Sequence, residues 1–243
     1  MTAVFRTAYV SSERMDGWVE RFSASHGQLG LAETDDGVLL TAADGATALL
    51  QSAWPADGRP GQGAGPLERL ISLAAQSRTI AVVLLRRGGY SVGLCRSGRL
   101  LESKSGTRYV QSRTAAGGWS QQRFARRRAN QADALVEVVA AHALRLFAGS
   151  VTQPAEYPVM GGDKARDYPG VSGGMAPEYL VLGGDKALCH ALLAEPAASS
   201  WAGLPQLAFR DVPDPRLAVL QQVAKDLSAV RIQVTDPAPQ QLP

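Results

Sequence analysis

Cysteine is almost missing from this chain. Cys95 and Cys189 are its two thiols in 243 residues, far apart and with no other cysteine near either. That excludes a zinc knuckle, argues against a disulfide framework and fits a reducing cytoplasm. Long apolar runs are missing as well. No stretch approaches the roughly 20 residues that span a bilayer, and Arg6 and the pair Glu13-Arg14 interrupt any leader-like pattern in residues 1–30. Lysine is scarce, 4 residues against 21 arginines. GC-rich coding produces the same imbalance, so weight falls on where the arginines cluster. Apolar content of 45% and charged content of 19% are those of an ordinary globular protein, with enough chain for a real core in one or two domains.

The most telling absence is local. From Lys104 to Arg128 (KSGTRYVQSRTAAGGWSQQRFARRR) there is no acidic residue, while Lys104, Arg108, Arg113, Arg123, Arg126, Arg127 and Arg128 are all cationic. Seven charges in one stretch leave the rest of the chain at −4 against a formal net charge of +3. A basic stripe on a mildly acidic body is the footprint of a polyanion-binding face. Arginine pairs bidentately with phosphate and stacks on bases, so RNA is the expected partner. Inside the stripe lies a flexible tip, Ala115-Ala116-Gly117-Gly118, followed by Trp119, Ser120 and Gln121-Gln122.

Around the stripe the chain reads as a mixture of helices and strands. Met15, Trp18, Val19 and Phe22 form one helical face closed by Gly27. Residues 29–32 and 38–50 read as strands with turns at Asp35-Asp36-Gly37 and Asp44-Gly45. The expected organisation is an N-terminal helix-plus-meander module over 1–54 and a Pro/Gly-rich linker over 55–66. A larger domain follows over 67–236, then a disordered tail over 237–243.

In that domain, residues 67–75 suggest a short helix and 79–85 (TIAVVLL) a buried central strand. Strands at 90–96, 99–103 and 108–111 would deliver the chain to the glycine tip. Ser120 is placed to cap a helix reaching about Phe147, with Leu135, Val139, His142 and Leu146 on one stripe. Residues 149–177 read as a loop holding Val159-Met160-Gly161-Gly162-Asp163-Lys164-Ala165, a near copy of Val181-Leu182-Gly183-Gly184-Asp185-Lys186-Ala187. A strand at 179–182, a helix at 187–194, a strand at 207–212, a helix opened by Asp214-Pro215 and a strand at 230–234 complete an α/β layer. The fold class expected is therefore α/β (α+β), a mixed sheet with a glycine-tipped loop leading into a long basic helix.

Gly117-Gly118, Ser120 and Arg123-Phe124-Ala125-Arg126 resemble the Gly-Gly-Gln loop and following helix in the middle domain of eukaryotic and archaeal class-one release factors. Arg108-Tyr109-Val110, with Arg113 ahead of the glycines, is similar to the Vms-type release-factor-like peptidyl-tRNA hydrolases. Gly183-Gly184-Asp185 and Val212-Pro213-Asp214-Pro215-Arg216 resemble marks of the actinobacterial class of that family. The resemblance covers about residues 78–236. It implies hydrolysis of peptidyl-tRNA on stalled ribosomes in the cytoplasm. The partners it implies are the large subunit, rRNA and peptidyl-tRNA, with no cofactor, metal, membrane or DNA.

For the site, the resemblance implies a water-positioning glutamine beside Gly117 and Gly118. An ungapped match on Arg123–Arg126 puts Trp119 at the glutamine position, whereas anchoring on Ser120 selects Gln121. Gln121 ranks first and Gln122 remains a competitor. Trp119 is then either a base-stacking platform or an anchor for the tip. The cations of the stripe, Lys104 included, would hold RNA phosphates. Two readings stay open, a peptidyl-tRNA esterase and a non-catalytic RNA-binding or ribosome-associated factor. Of the remaining motifs, Gly183-Gly184-Asp185 reads either as a phosphate cradle or, more simply, as a helix cap. His26, His142 and His190 are scattered and read as core or surface residues.

Overall fold

A computed structural model describes residues 5–56, 58–107, 119–149 and 176–236, with residues 5, 119–129 and 149 described by their backbone alone. The class is mixed α+β, with two sheets and five α-helices among the described residues. In chain order these are β1 (Phe5–Ser11), α1 (Met15–His26), β2 (Leu29–Thr34), β3 (Gly37–Ala42), β4 (Thr47–Gln51) and α2 (Pro66–Ala74). There follow β5 (Thr79–Arg86), β6 (Gly89–Arg96), β7 (Arg99–Thr107) and α3 (Trp119–Gly149). The last are β8 (Tyr179–Gly184), α4 (Lys186–Leu193), α5 (Leu217–Leu227) and β9 (Ala229–Thr235). The chain forms two compact units, one of Met1–Arg78, Cys95–Leu100 and Gln221–Pro243, the other of Thr79–Leu94 and Leu101–Leu220.

The first unit holds an antiparallel sheet in the order β1-β9-β4-β3-β2. Two of its strands, β3 and β4, alternate in burial. In β3, Val38, Leu40 and Ala42 are buried while Leu39 and Thr41 are not, so one face meets the core. That core joins Met15 and Phe22 of α1, Leu70 of α2 and Val230 and Ile232 of β9. Gly27 ends α1 with φ 89° and an amide bonded to the Ser23 carbonyl at 2.8 Å.

The second unit holds a mixed sheet, β7-β6-β5-β8. β5 and β8 are parallel, with Ile80 opposite Tyr179 and Leu85 opposite Gly184. The two-residue turns β5–β6 and β6–β7 make the other pairs antiparallel. Ser97 (φ 49°) and Gly98 (φ 75°) form the second turn with both central residues left-handed, the geometry that matches strand twist. Every residue of β5 and β6 is buried except the terminal Arg86 and Arg96. Ala81, Val83 and Leu85 pack with Leu135, Val139, Ala143 and Phe147 of α3 and Leu188 and Leu192 of α4.

Several expectations need correction. β1 had no expected counterpart, because its largely exposed residues carry little apolar pattern and its strand is defined by pairing with β9. β9 lies antiparallel between β1 and β4, so it does not extend an α/β layer in the second unit. The segment 55–66, expected as a linker, belongs to the first unit, and its described residues are strapped along α2. Gln62 donates its amide to Ser72 (3.0 Å), Ala64 to Glu68 (2.7 Å), and Gln76 reaches the Arg59 carbonyl (2.7 Å). A Cβ at Gly61 would stand 1.8 Å from the Arg69 carbonyl oxygen, so this glycine serves closeness to α2. Residues 207–212 form no strand; the segment follows β8 through isolated bridges at Gln206 and Arg210. α5 begins at Leu217, after Asp214-Pro215. α3 starts at Trp119, which puts Ser120 inside the helix rather than at its cap.

Candidate functional site

β5, β7 and β8 all run toward one end of the mixed sheet, and the bridging segment 206–210 is parallel to β8. Loops at such carboxyl ends are where open α/β sheets place their sites. β7 is the edge strand that precedes Gly117-Gly118 in the chain, and its final residues are clamped. Ser91, wholly buried, donates to the Pro215 carbonyl at 2.5 Å, which leaves its lone pairs for the Ser105 hydroxyl 2.6 Å away. Gly106 lies under the ring of Tyr90, where a Cβ would stand 2.7 Å from the ring atoms. Arg108, Arg113, Gly117 and Gly118, expected in the site, lie outside the described residues, as do the expected strand at 108–111 and the first Val-Met-Gly-Gly-Asp copy.

α3 runs 31 residues, about 46 Å at 1.5 Å per residue. Its second half carries the expected stripe, with Leu135, Val136, Val139, Ala140, Ala143, Leu146 and Phe147 buried. Phe147 meets Trp201 edge-on at 5.5 Å, and His142 stacks on Tyr90 at 5.6 Å. Before the packed half the backbone stays helical back to Trp119, with no acidic residue in its first turn. This puts Gln121 and Gln122 in that first turn, about 100° apart around the axis, and Arg123, Arg126, Arg127 and Arg128 in the next two. Their side chains, like that of Trp119, lie outside the described ones.

Lys104 is the one expected RNA-binding residue whose side chain is described. It is exposed on β7. His142 is half-buried, and burial first, then the charges of Arg145 and Lys104, hold its pKa below the ordinary value. A ring stacked on Tyr90 and kept neutral fits a packing role, as the sequence suggested. Burial pushes the Cys95 thiol up to about 12 and the Cys189 thiol up to about 11, which keeps both protonated and unreactive. His26 pairs with Asp44 at 2.9 Å in the first unit. Among the described residues no cluster suits a metal ion and no helix is long and apolar enough to cross a membrane.

Gly183-Gly184-Asp185 receives the simpler of its two readings. Asp185 caps α4, accepting from the amides of Ala187 (2.9 Å) and Leu188 (3.2 Å). Both glycines are demanded by close backbone. A Cβ at Gly183 would stand 2.6 Å from the Arg210 carbonyl oxygen, and one at Gly184 (φ 100°) 2.3 Å from that of Leu85.

The same sheet end gathers cations that the sequence scatters. Arg86 pairs with Asp211 at 2.9 Å, Arg87 approaches Asp185 at 3.9 Å, and Arg216 pairs with Asp214 at 2.6 Å. Lys186 stands 5.6 Å from the Phe209 ring centre, and the Arg210 carbonyl accepts the Gly184 amide. Reading by clusters along the chain missed these residues; the Gly-Gly-Asp and Val-Pro-Asp-Pro-Arg motifs were the signal that marked their place.

The mixed sheet, followed in the chain by Gly117-Gly118 and then by a long helix with an acid-free, arginine-rich start, fits the release-factor class that the sequence suggested. Residues 78–233 match the family model described as Actinobacteria/chloroflexi VLRF1 release factor, and the chain belongs to that family. No curated protein matches the chain. Membership gives it a release-factor-like role in translation and implies association with the ribosome.

Proposed function

We propose that this protein is a peptidyl-tRNA hydrolase that frees nascent chains from tRNA on stalled ribosomes or their large subunits, in the cytoplasm. The observation that carries the reading is the helical start of α3. It follows Gly117-Gly118 directly, holds Gln121 and Gln122 in its first turn, and has no carboxylate there to repel a polyanion. Family membership supports it.

The substrate is an ester between the peptide and the tRNA 3′-terminal ribose. Water attacks the carbonyl carbon, negative charge builds on the carbonyl oxygen, and the C–O bond to ribose breaks as the ribose oxygen regains a proton. Glutamine is a poor base, so Gln121 acts by hydrogen-bonding and orienting the water, with backbone N–H groups facing the oxyanion. Gly117 and Gly118 allow close approach of backbone to the acceptor end. Lys104, Arg108, Arg113, Arg123, Arg126, Arg127 and Arg128 hold phosphates of tRNA and rRNA, with Trp119 stacking on a base or anchoring the tip. The chemistry calls for no metal or cofactor, and no DNA or membrane partner.

Gln121→Ala should slow peptide release from purified stalled large subunits about 10²–10³-fold, the scale of losing one positioned polar group, while binding stays nearly intact. Release at the wild-type rate would transfer the role to Gln122, tested by Gln122→Ala. The placement of Trp119 at the ungapped glutamine position favours a second reading, a ribosome-associated factor without catalysis. Wild-type protein that binds such subunits and releases nothing would establish it.

A further inference from the structure

We propose that the cleft between α1 and the first half of β1 is a binding site for a nucleotide unit, a planar base carrying a phosphate. It lies in the first unit, on residues the proposed hydrolysis does not use, so neither reading depends on the other.

The cleft has a volume of about 360 Å³, the range of small-ligand sites rather than of an ion or a single water. One wall is α1. Trp18, Phe22 and His26 recur at every fourth position, so their rings stand one beyond the next along the helix. Trp18 and Phe22 stack with centroids 5.2 Å apart and planes 11° apart, and the His26 ring lies 4.7 Å from Phe22. Phe22 is buried in the core, whereas Trp18 is half-buried and keeps part of its indole open. Arg21 and Ser25 line the cleft from the same helix. The other wall is the sheet. Ala8 stands opposite buried Ile232 and Arg6 opposite Val234, so both face α1. Ala8 offers only a methyl group there, which leaves the space open.

The polar groups choose the occupant. Among the described residues no carboxylate lines the cleft. Arg6 is held by Asp236, and His26 by Asp44 through Nδ1 at 2.9 Å, so neither counts as free charge. Arg21 is different: it is exposed, and among the described residues it has no ion pair or hydrogen bond. A Cβ at Gly17 would stand 3.4 Å from its Nη1, which puts the charge at the turn that carries Trp18. An unpaired guanidinium beside a partly open indole suits a ligand that is both flat and anionic. The base stacks on the ring, and the phosphate takes arginine's planar fork. The Ser25 hydroxyl and His26 Nε2, neither hydrogen-bonded among the described residues, remain for the edge of the base or the ribose. A purely apolar ligand would leave Arg21 unanswered, and a bare anion would leave the rings uncovered. A free nucleotide and an unpaired nucleotide of single-stranded RNA offer this same chemistry.

The test is calorimetric titration of the full-length protein with the ribonucleoside 5′-monophosphates, the matching nucleosides, inorganic phosphate and a short single-stranded RNA of mixed sequence. The proposal expects saturable binding of a monophosphate and weaker binding of either half. Arg21→Gln should weaken the monophosphate about tenfold and leave the nucleoside nearly unchanged. Trp18→Leu should weaken both, by about tenfold. Because Arg21 is exposed and unpaired, its variant remains decisive even if Trp18→Leu folds poorly by circular dichroism. Tighter binding of the RNA identifies RNA as the source and tighter binding of a monophosphate a free nucleotide; both support the site. No binding of any monophosphate or of the RNA overturns the inference. So does phosphate that binds as tightly as the monophosphates, which makes this an anion site only. Binding unchanged by either variant but lost when Arg126, Arg127 and Arg128 become Glu also overturns it, since the ligand is then held by α3. Each of these failures leaves the proposed function standing, because peptide release reads that separately.

Discussion

The two sheets of this protein solve different problems. The antiparallel sheet buries one face and leaves the other partly open, as the alternation in β3 and β4 shows, and it carries none of the residues expected in the site. The mixed sheet is buried through β5 and β6, and its parallel strands finish at the end toward which β7 also runs, ahead of the residues proposed for the site. A two-sided core makes strand ends rigid, and under the proposed function that rigidity would help the residues after β7 present a small group to an ester. Among the described residues, what the mixed sheet's end offers a site there is closely fitted backbone at Gly183 and Gly184.

If that contrast is right, substitutions should divide by sheet. The sharpest break is Gly184→Ala. Its methyl would meet the Leu85 carbonyl at 2.3 Å with φ at 100°, and overpacking plus backbone strain should cost about 4 kcal/mol in chemical denaturation. Stability unchanged would mean the strand end is loose. Next, Leu85→Ala in the covered core should lose about 3 kcal/mol, whereas Leu39→Ala, on the half-open face of β3, should lose about 1 kcal/mol or less; equal losses would erase the distinction.

A smaller effect is expected at Asp185→Ala, which removes the cap of α4 and should cost about 1 kcal/mol. Asp185→Asn, which can still accept, should restore most of it. The smallest is a pH effect at His142. Its folded pKa is depressed, so folding favours the neutral ring. As pH falls below the ordinary 6.5, the unfolded chain takes up a proton that the folded one resists, and stability drops through that window. His142→Gln should flatten the acid limb of the stability curve between that value and the lower folded one; an unaltered limb would show the ring is freely solvated.

Much of this was legible in the residues. The β-branched run TIAVVLL suggested a buried central strand, as β5 is, and the stripe of Leu135, Val139 and Leu146 announced the packed half of α3. Gly27, Ser97-Gly98 and Asp185 fell where helix ends, a hairpin and a cap required them. Sequence failed where the meaning of a residue depends on a distant partner. Glycine at 61 spells freedom or closeness alike, and only Arg69 decides which. β1 reads as a polar segment until β9 lies beside it. The candidate site divides the same way: the resemblance singled out Gln121 and Gln122 ahead of a long helix, which starts at Trp119 rather than after a Ser120 cap, while the ion-paired arginines from Arg86 to Arg216 meet only once distant segments have been brought to one sheet end.

The position of β9 has a consequence for the birth of the molecule. Residues 229–235 lie between β1 and β4, strands made from residues 5–11 and 47–51. During synthesis those early strands leave the exit tunnel with a gap between them that nothing fills until nearly all the intervening chain has been translated. Such long-range pairing is slow and leaves strand edges open meanwhile. A family that attends to translation thus carries, in its own first unit, a sheet that stays open until a strand made more than 170 residues after β4 arrives to fill it.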